Sequence, residues 1–121
     1  MVLYLASDLL WASKIKGTAD ALGVPARPVR NAEMLAARLA EATPQAPVRA
    51  LVVDLEAGAA AFDLIKQVRA AAPGARVVAF GPHVAVEALR AAHEAGAHEV
   101  MPRGAFASGL PEILTRLNTQ G

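Results

Sequence analysis

Cysteine is absent from the 121 residues, which excludes disulfides, thiolate nucleophiles and cysteine-ligated metal and predicts a cytoplasmic chain. Aromatic residues are scarce: one Trp, one Tyr and three Phe make up 4% of the sequence, too few to build stacking platforms for single-stranded nucleic acid. Neither sign of charge prevails, with 12 Lys and Arg against 11 Asp and Glu for a formal +1. The cations are scattered, so the electrostatic footprint of a nucleic-acid binder is missing. Hydrophobic residues reach 55%, yet no uncharged apolar run approaches the ~18 residues a membrane span requires. The chain opens on VLYLA and meets an acid at Asp8, not the basic, apolar and small-residue order of a secretory signal. GVP, GAA, GPH and GAH are isolated turns; neither GxGxxG nor a Walker pattern is present, and no Ser lies in a GxSxG context. What remains is a chain of one-domain length that can bury a core without metal or disulfide.

Two periodicities alternate along it. Val2 to Ala6 is a short apolar run that predicts a strand, and Trp11, Ile15, Ala19 and Leu22 then fall on one helical stripe, read as core. Gly23 and Pro25 predict its end, since Gly suits a C-terminal cap and Pro cannot continue the ladder. A weak strand over Ala26 to Val29 precedes Asn31, a good N-cap, and a second stripe through Ala32, Leu35, Leu39 and Ala42. ATPQAP, Ala42 to Pro47, has loop composition. Arg49 to Asp54 predicts a central strand, being short, Val-rich and apolar on both faces. Leu64, Ile65, Val68 and Ala72 predict a third helix, stopped by Pro73-Gly74. Arg76 to Phe80 predicts a fourth strand ended by Gly81-Pro82; Ala85, Leu89 and Ala92 carry a fourth helix to Gly96; Glu99 to Met101 fits a fifth strand. Leu110, Ile113, Leu114 and Leu117 mark a last helix, with Ser108 at its start and Pro111 in its first turn, where a missing N–H is tolerated.

Strands and helices in this alternation predict a single α/β domain over residues 1–121: a five-stranded parallel sheet covered on both faces, in the flavodoxin-like order 2-1-3-4-5. Ligands and chemistry in such sheets gather at the carboxyl ends of the strands. That directs attention to Ser7 and Asp8, Asp54 to Glu56, Gly81 to His83 and Pro102 to Gly104. In ALVVDLEAG, an otherwise buried-looking run ends on Asp54, an acid that either does chemistry or caps a strand. His83 is the best-placed histidine, just past a strand end. His93, Glu94, His98 and Glu99 in HEAGAHE invite a metal reading, but the two His are five apart across Gly96, whereas the helical zinc pair is four apart. They are read as solvated loop residues.

The strand-plus-acid ALVVD, the closing GAHEVMPRG and the five-fold alternation together resemble the receiver domain of response regulators (CheY-like) over essentially the whole chain. The resemblance implies a phosphoacceptor Asp after the third strand, an acidic pair after the first, a Thr or Ser after the fourth and a Lys after the fifth. A carboxylate can take a phosphoryl group, and Mg2+ needs several oxygens to neutralise the charge that develops. Asp54 matches the phosphoacceptor position. The acidic pair is replaced by Ala6 and Ser7, with Asp8 one residue late, where it would sit at a helix dipole. Gly81 replaces the hydroxyl residue, Val100 stands where many receivers carry Tyr or Phe, and Arg103 aligns with the Lys; its planar fork is not equivalent to an ammonium.

The reading is therefore a degenerate, or pseudo-, receiver: a non-enzymatic signal-transduction domain acting by protein–protein interaction, without ordinary Mg2+-dependent phosphorylation and without a cofactor. Arg103 is expected to pair with Asp54. The implied partner is a signalling protein or an output domain, or a second copy through the face of the fourth helix, fifth strand and fifth helix; no membrane or nucleic acid is involved. The first rival keeps phosphorylation on Asp54 with Mg2+ held by Asp8, Asp54 and Glu56. The second is a small-ligand sensor at a carboxyl-end crevice bordered by Ser7, Asp8, Glu56, Gly81 and His83 and left roomy by Ala6 and Gly81.

Overall fold

In the computed structural model, which describes residues 1–120, each strand is followed by a helix: β1 (Val2–Leu5), α1 (Leu9–Leu22), β2 (Ala26–Pro28), α2 (Ala32–Glu41), β3 (Ala50–Asp54), a 3-10 turn (Leu55–Ala57), α3 (Ala59–Ala71), β4 (Arg76–Gly81), α4 (Val86–Ala95), β5 (Glu99–Pro102) and α5 (Arg103–Gln120). The strands form one parallel sheet in the order β2-β1-β3-β4-β5, the predicted architecture. Alternate strand residues feed two cores. Leu3, Leu5, Leu51, Val53, Val77 and Ala79 meet Leu35, Leu64, Ile65 and Val68 from α2 and α3. Val2, Tyr4, Ala50, Val52, Val78 and Phe80 meet Ile15 and Ala19 of α1 and Phe106, Leu110, Leu114 and Leu117 of α5. Burial on both faces explains why the central strands read as unbroken apolar runs. Phe80 and Phe106 stack with ring centroids 3.9 Å apart, and Trp11, half-buried, tilts against Phe80 at 4.9 Å. The two edge strands are short and carry Pro28 and Pro102, which cannot donate to an added strand.

Helix ends follow local chemistry. Asp8 caps α1 through Trp11 N–H at 2.9 Å, Asn31 caps α2 through Met34 N–H at 2.8 Å, and Gly23 and Gly96 close α1 and α4 in the left-handed region. Several expectations need correction. Ala32, read into the buried stripe of α2, is exposed in its first turn, and Ala42 and Ala72 lie just past the ends of α2 and α3 as their C-caps. Leu22, the last residue of α1, is 43% exposed and stands outside the core. Ala85 lies just outside α4, at its N-cap. The last helix starts at Arg103, so Pro111 is inside it and Ser108 is past its start. Pro111 is exposed, which leaves the carbonyl it cannot serve next to solvent, and Ser108 Oγ bonds back to Gly104 O at 3.1 Å.

Of the residues read as solvated loop, His93 and Glu94 are exposed but lie on α4, Glu99 opens β5 and is held by Arg116, and His98 is not a solvated loop residue. β5 begins one residue after it, so the Val77 N–H on that side of β4 has no strand partner. The imidazole supplies one, with Val77 N–H donating to Nδ1 at 2.9 Å, while His98 N–H donates to Val77 O at 2.8 Å. Arg69 Nη1, also a donor, lies 3.1 Å from Nε2; a neutral imidazole has a single acceptor nitrogen, so the two donors compete for it. A second proton on the ring would leave both of its nitrogens as donors facing donors. Burial first, then the Arg69 and Arg76 guanidiniums, push the His98 pKa below its ordinary 6.5, against a smaller upward pull from Glu99. A depressed histidine pKa means the unfolded chain binds the proton first as pH falls, so this stabilisation is complete above pH 6.5 and is lost progressively below it. Urea unfolding followed from pH 7.5 downwards should show a falling midpoint. His98→Ala should cost about 1–3 kcal/mol at neutral pH, the price of an orphaned buried amide, and should flatten that decline.

Candidate functional site

At the carboxyl end of the sheet Asp54 is 1% exposed, the only buried charged side chain among the described residues. It closes β3 and caps the 3-10 turn that follows. Oδ1 accepts from Glu56 N–H at 3.0 Å. Oδ2 accepts from Ser7 N–H at 3.0 Å and from the Ser7 hydroxyl. A buried carboxylate is tolerated when its lone pairs are filled, and here the donors come from the turn after β1 and the turn after β3. Ser7 thus fastens two adjacent strand ends across 47 residues of sequence.

The expected ion pair between Arg103 and Asp54 is not formed. Arg103 Nη1 instead meets Glu56 Oε1 at 3.1 Å, with both side chains near half exposure. The reason is depth: reaching Asp54 would strip water from the guanidinium, and the Asp54 oxygens already face amides and a hydroxyl, whereas Glu56 offers its carboxylate at the surface. Gly81 also departs from expectation. It extends β4, pairs with Pro102 and is buried, and a Cβ on it would lie 3.3 Å from Leu55 Cβ. Leu55 fills the space that a hydroxyl side chain would need, so Gly81 opens no crevice. His83 is exposed in the turn between β4 and α4, and Val100 packs half-buried against the α2–α3 side of the core. The open space lies on the Ala6 side, where a crevice of about 290 Å3 is bordered by Ser7 and Asp8 but not by Glu56, Gly81 or His83.

The metal set drawn from Asp8, Asp54 and Glu56 is not assembled. Asp8 caps α1, Glu56 holds Arg103, and Asp54 is surrounded by N–H and O–H donors, where a hard cation requires oxygen acceptors. Among the described residues no three His, Asp or Glu side chains converge on one point, HEAGAHE included. The residues present do not fit Mg2+. Sequence reasoning missed the Ser7–Asp54 bond; the signal for it was the hydroxyl at a position where an acid beside a buried carboxylate would repel it.

No protein-family model and no curated protein matches this chain. Solved structures do. The receiver domain of NtrX from Brucella abortus superposes with a TM-score of 0.79 over 100% of both chains at 18% identity. A response regulator from Thermotoga maritima gives 0.76 over 98% of this chain and 96% of that one at 16% identity. A response regulator from Burkholderia pseudomallei, solved with a phosphorylated aspartic acid, calcium ion and citrate, gives 0.73 over 96% of this chain and 67% of that one at 19% identity. The chain therefore has the receiver-domain fold. No helix of the described residues is long and apolar enough to cross a membrane.

Substitutions separate the buried contacts from the surface pair. Ser7→Ala should destabilise by about 1.5–3 kcal/mol, as expected for a hydrogen bond to a charged group, whereas Arg103→Ala should change stability by less than about 1 kcal/mol; denaturant unfolding measures both. Gly81→Thr should cost about 1–3 kcal/mol by overpacking, and a Leu55→Ala background should reduce that cost.

Proposed function

We propose that this chain is a receiver-type signalling domain that acts by binding a protein partner and holds Asp54 as a structural carboxylate. The observation that carries this reading is the closure of Asp54: 1% exposed, with both oxygens occupied by Ser7 and Glu56 donors. A phosphoryl group on such a carboxylate needs its oxygens free and a cation to offset the added charge. The Ser7 contact resembles an N–H and hydroxyl clasp more than a reaction site. It favours one arrangement of the strand ends, and with Gly81 in place of a hydroxyl residue no side chain on β4 can follow a change at Asp54.

The partner face we favour is α4, β5 and α5. Supporting it, Val84 and Val86 at the entrance to α4 are 75% and 58% exposed. Arg116 of α5 grips Glu99 of β5 through both terminal guanidinium nitrogens, at 2.6 and 2.8 Å, so this face presents a preset surface rather than loose charges. The partner is a signalling protein, an output domain or a second copy of the chain.

A second reading keeps phosphorylation on Asp54, and it is favoured by the position of that acid at the end of β3 in a fold shared with a regulator that carries a phosphorylated aspartic acid. Incubation with acetyl phosphate and Mg2+ distinguishes the two by intact mass. The expected result is no phosphoryl adduct and no change in the spectrum with beryllofluoride. An adduct that Asp54→Asn abolishes would establish the second reading instead.

A further inference from the structure

The crevice beside Ser7 has features that the Asp54 clasp does not use. It lies at the carboxyl ends of β1 and β2, between the turn into α1 and the loop into α2, with a volume of about 290 Å3. That is just below the ~300–1,000 Å3 typical of small-molecule sites. Leu9, Ala12, Pro28 and Val29 give it apolar walls.

Three polar groups define what it can hold. Tyr4, only 5% exposed, lines the crevice; its hydroxyl makes no hydrogen bond to the described protein and is not among the atoms sealed from solvent. With no protein partner, that hydroxyl bonds to solvent through the crevice, and a ligand group that offers a hydrogen bond can take the place of that water. Arg30 also lines the crevice and takes part in none of the ion pairs of the described residues, leaving a planar fork suited to a carboxylate. Asp8 completes the rim, but its Oδ1 already accepts from Trp11 N–H. The positive end of α1 is therefore occupied by the chain's own carboxylate, so an anion in the crevice is held by Arg30 and not by the helix, and a dianion such as phosphate is repelled by Asp8 more strongly than a single carboxylate.

We propose that this crevice is a binding site for a small monocarboxylate with an apolar body and a hydrogen-bonding group at its far end. Arg30 receives the carboxylate, the apolar walls take the body, and the Tyr4 hydroxyl pairs with the distal group. Ser7 belongs both to this crevice and to the clasp on Asp54, so an occupant bears on the turn that fixes the acid. The site stands whether or not Asp54 is ever phosphorylated.

The test is a titration of the full 15N-labelled chain with 4-hydroxybenzoate, hexanoate and 4-hydroxyphenylacetate, followed by 1H–15N correlation spectra. 4-Hydroxybenzoate or 4-hydroxyphenylacetate should produce saturable shifts centred on Ser7, Asp8, Val29 and Arg30, with a Kd of ~1 mM, and hexanoate, which lacks a distal hydrogen-bonding group, should bind more weakly. Arg30→Gln, at an exposed position, should weaken that probe about tenfold, equivalent to about 1.4 kcal/mol. Tyr4→Phe keeps the packed ring and should weaken 4-hydroxybenzoate while leaving benzoate as in the parent; matching melting temperatures confirm that both variants fold. The proposal is overturned if neither hydroxylated probe saturates by about 10 mM, ten times that Kd, if hexanoate binds as tightly as they do, if the shifts lie elsewhere, if Arg30→Gln or Tyr4→Phe has no effect, or if inorganic phosphate binds the crevice as tightly. These outcomes do not depend on the acetyl phosphate result.

Discussion

A parallel sheet buried on both faces leaves nowhere for polar chemistry except the strand ends. Leu3 and Tyr4, Leu51 and Val52, and Val77 and Val78 are adjacent pairs, each splitting its side chains between the two cores, so no interior position is available for a charge. The strand that departs from this pattern does so at its last residue, where Asp54 lies within reach of the two turns that leave the sheet. Everything distinctive in the molecule then concerns how backbone groups at the two ends of the sheet are satisfied. At the carboxyl end a carboxylate collects donors from Ser7 and Glu56. At the amino end an imidazole receives an amide that lacks a strand partner.

These two solutions have opposite electrostatic logic. Asp54 is ringed by N–H and O–H dipoles, which suit a negative charge without bringing in a cation. His98 is ringed by Val77 N–H and Arg69, which suit a neutral ring and penalise a positive one. Nearby, Glu99 is held by Arg116 from α5 and lies 3.7 Å from Arg76 of β4, so the charged groups around β5 are tied to the elements flanking it. Charge in this chain thus stabilises particular strand ends rather than giving the surface an overall sign.

The architecture was legible because the periods of strand and helix are local properties of the chain: apolar runs at β1, β3 and β4 and the stripes of α2 and α3 needed no knowledge of their partners. Asp8 and Asn31 as helix caps were equally local. What the sequence did not reveal depends on where side chains end up in three dimensions. Arg103 was matched to Asp54 by position in a family pattern, but the choice between Asp54 and Glu56 is decided by depth below the surface. Gly81 suggested an opening because it lacks a side chain; only the packed structure shows Leu55 in that space. Pro111 looked like a helix start, since a missing N–H is cheapest there, but the exposed side of α5 accommodates the same defect mid-helix.

Trp11 gives the arrangement a further property. Its backbone N–H is held by the Asp8 cap, one residue from the Ser7 clasp, while its ring rests on Phe80 and Phe106. The sequence contains a single tryptophan, so the fluorophore is placed where the turn after β1 meets the aromatic core. The emission of this chain is in effect a native optical gauge of that junction, reporting the strand-end geometry without a label.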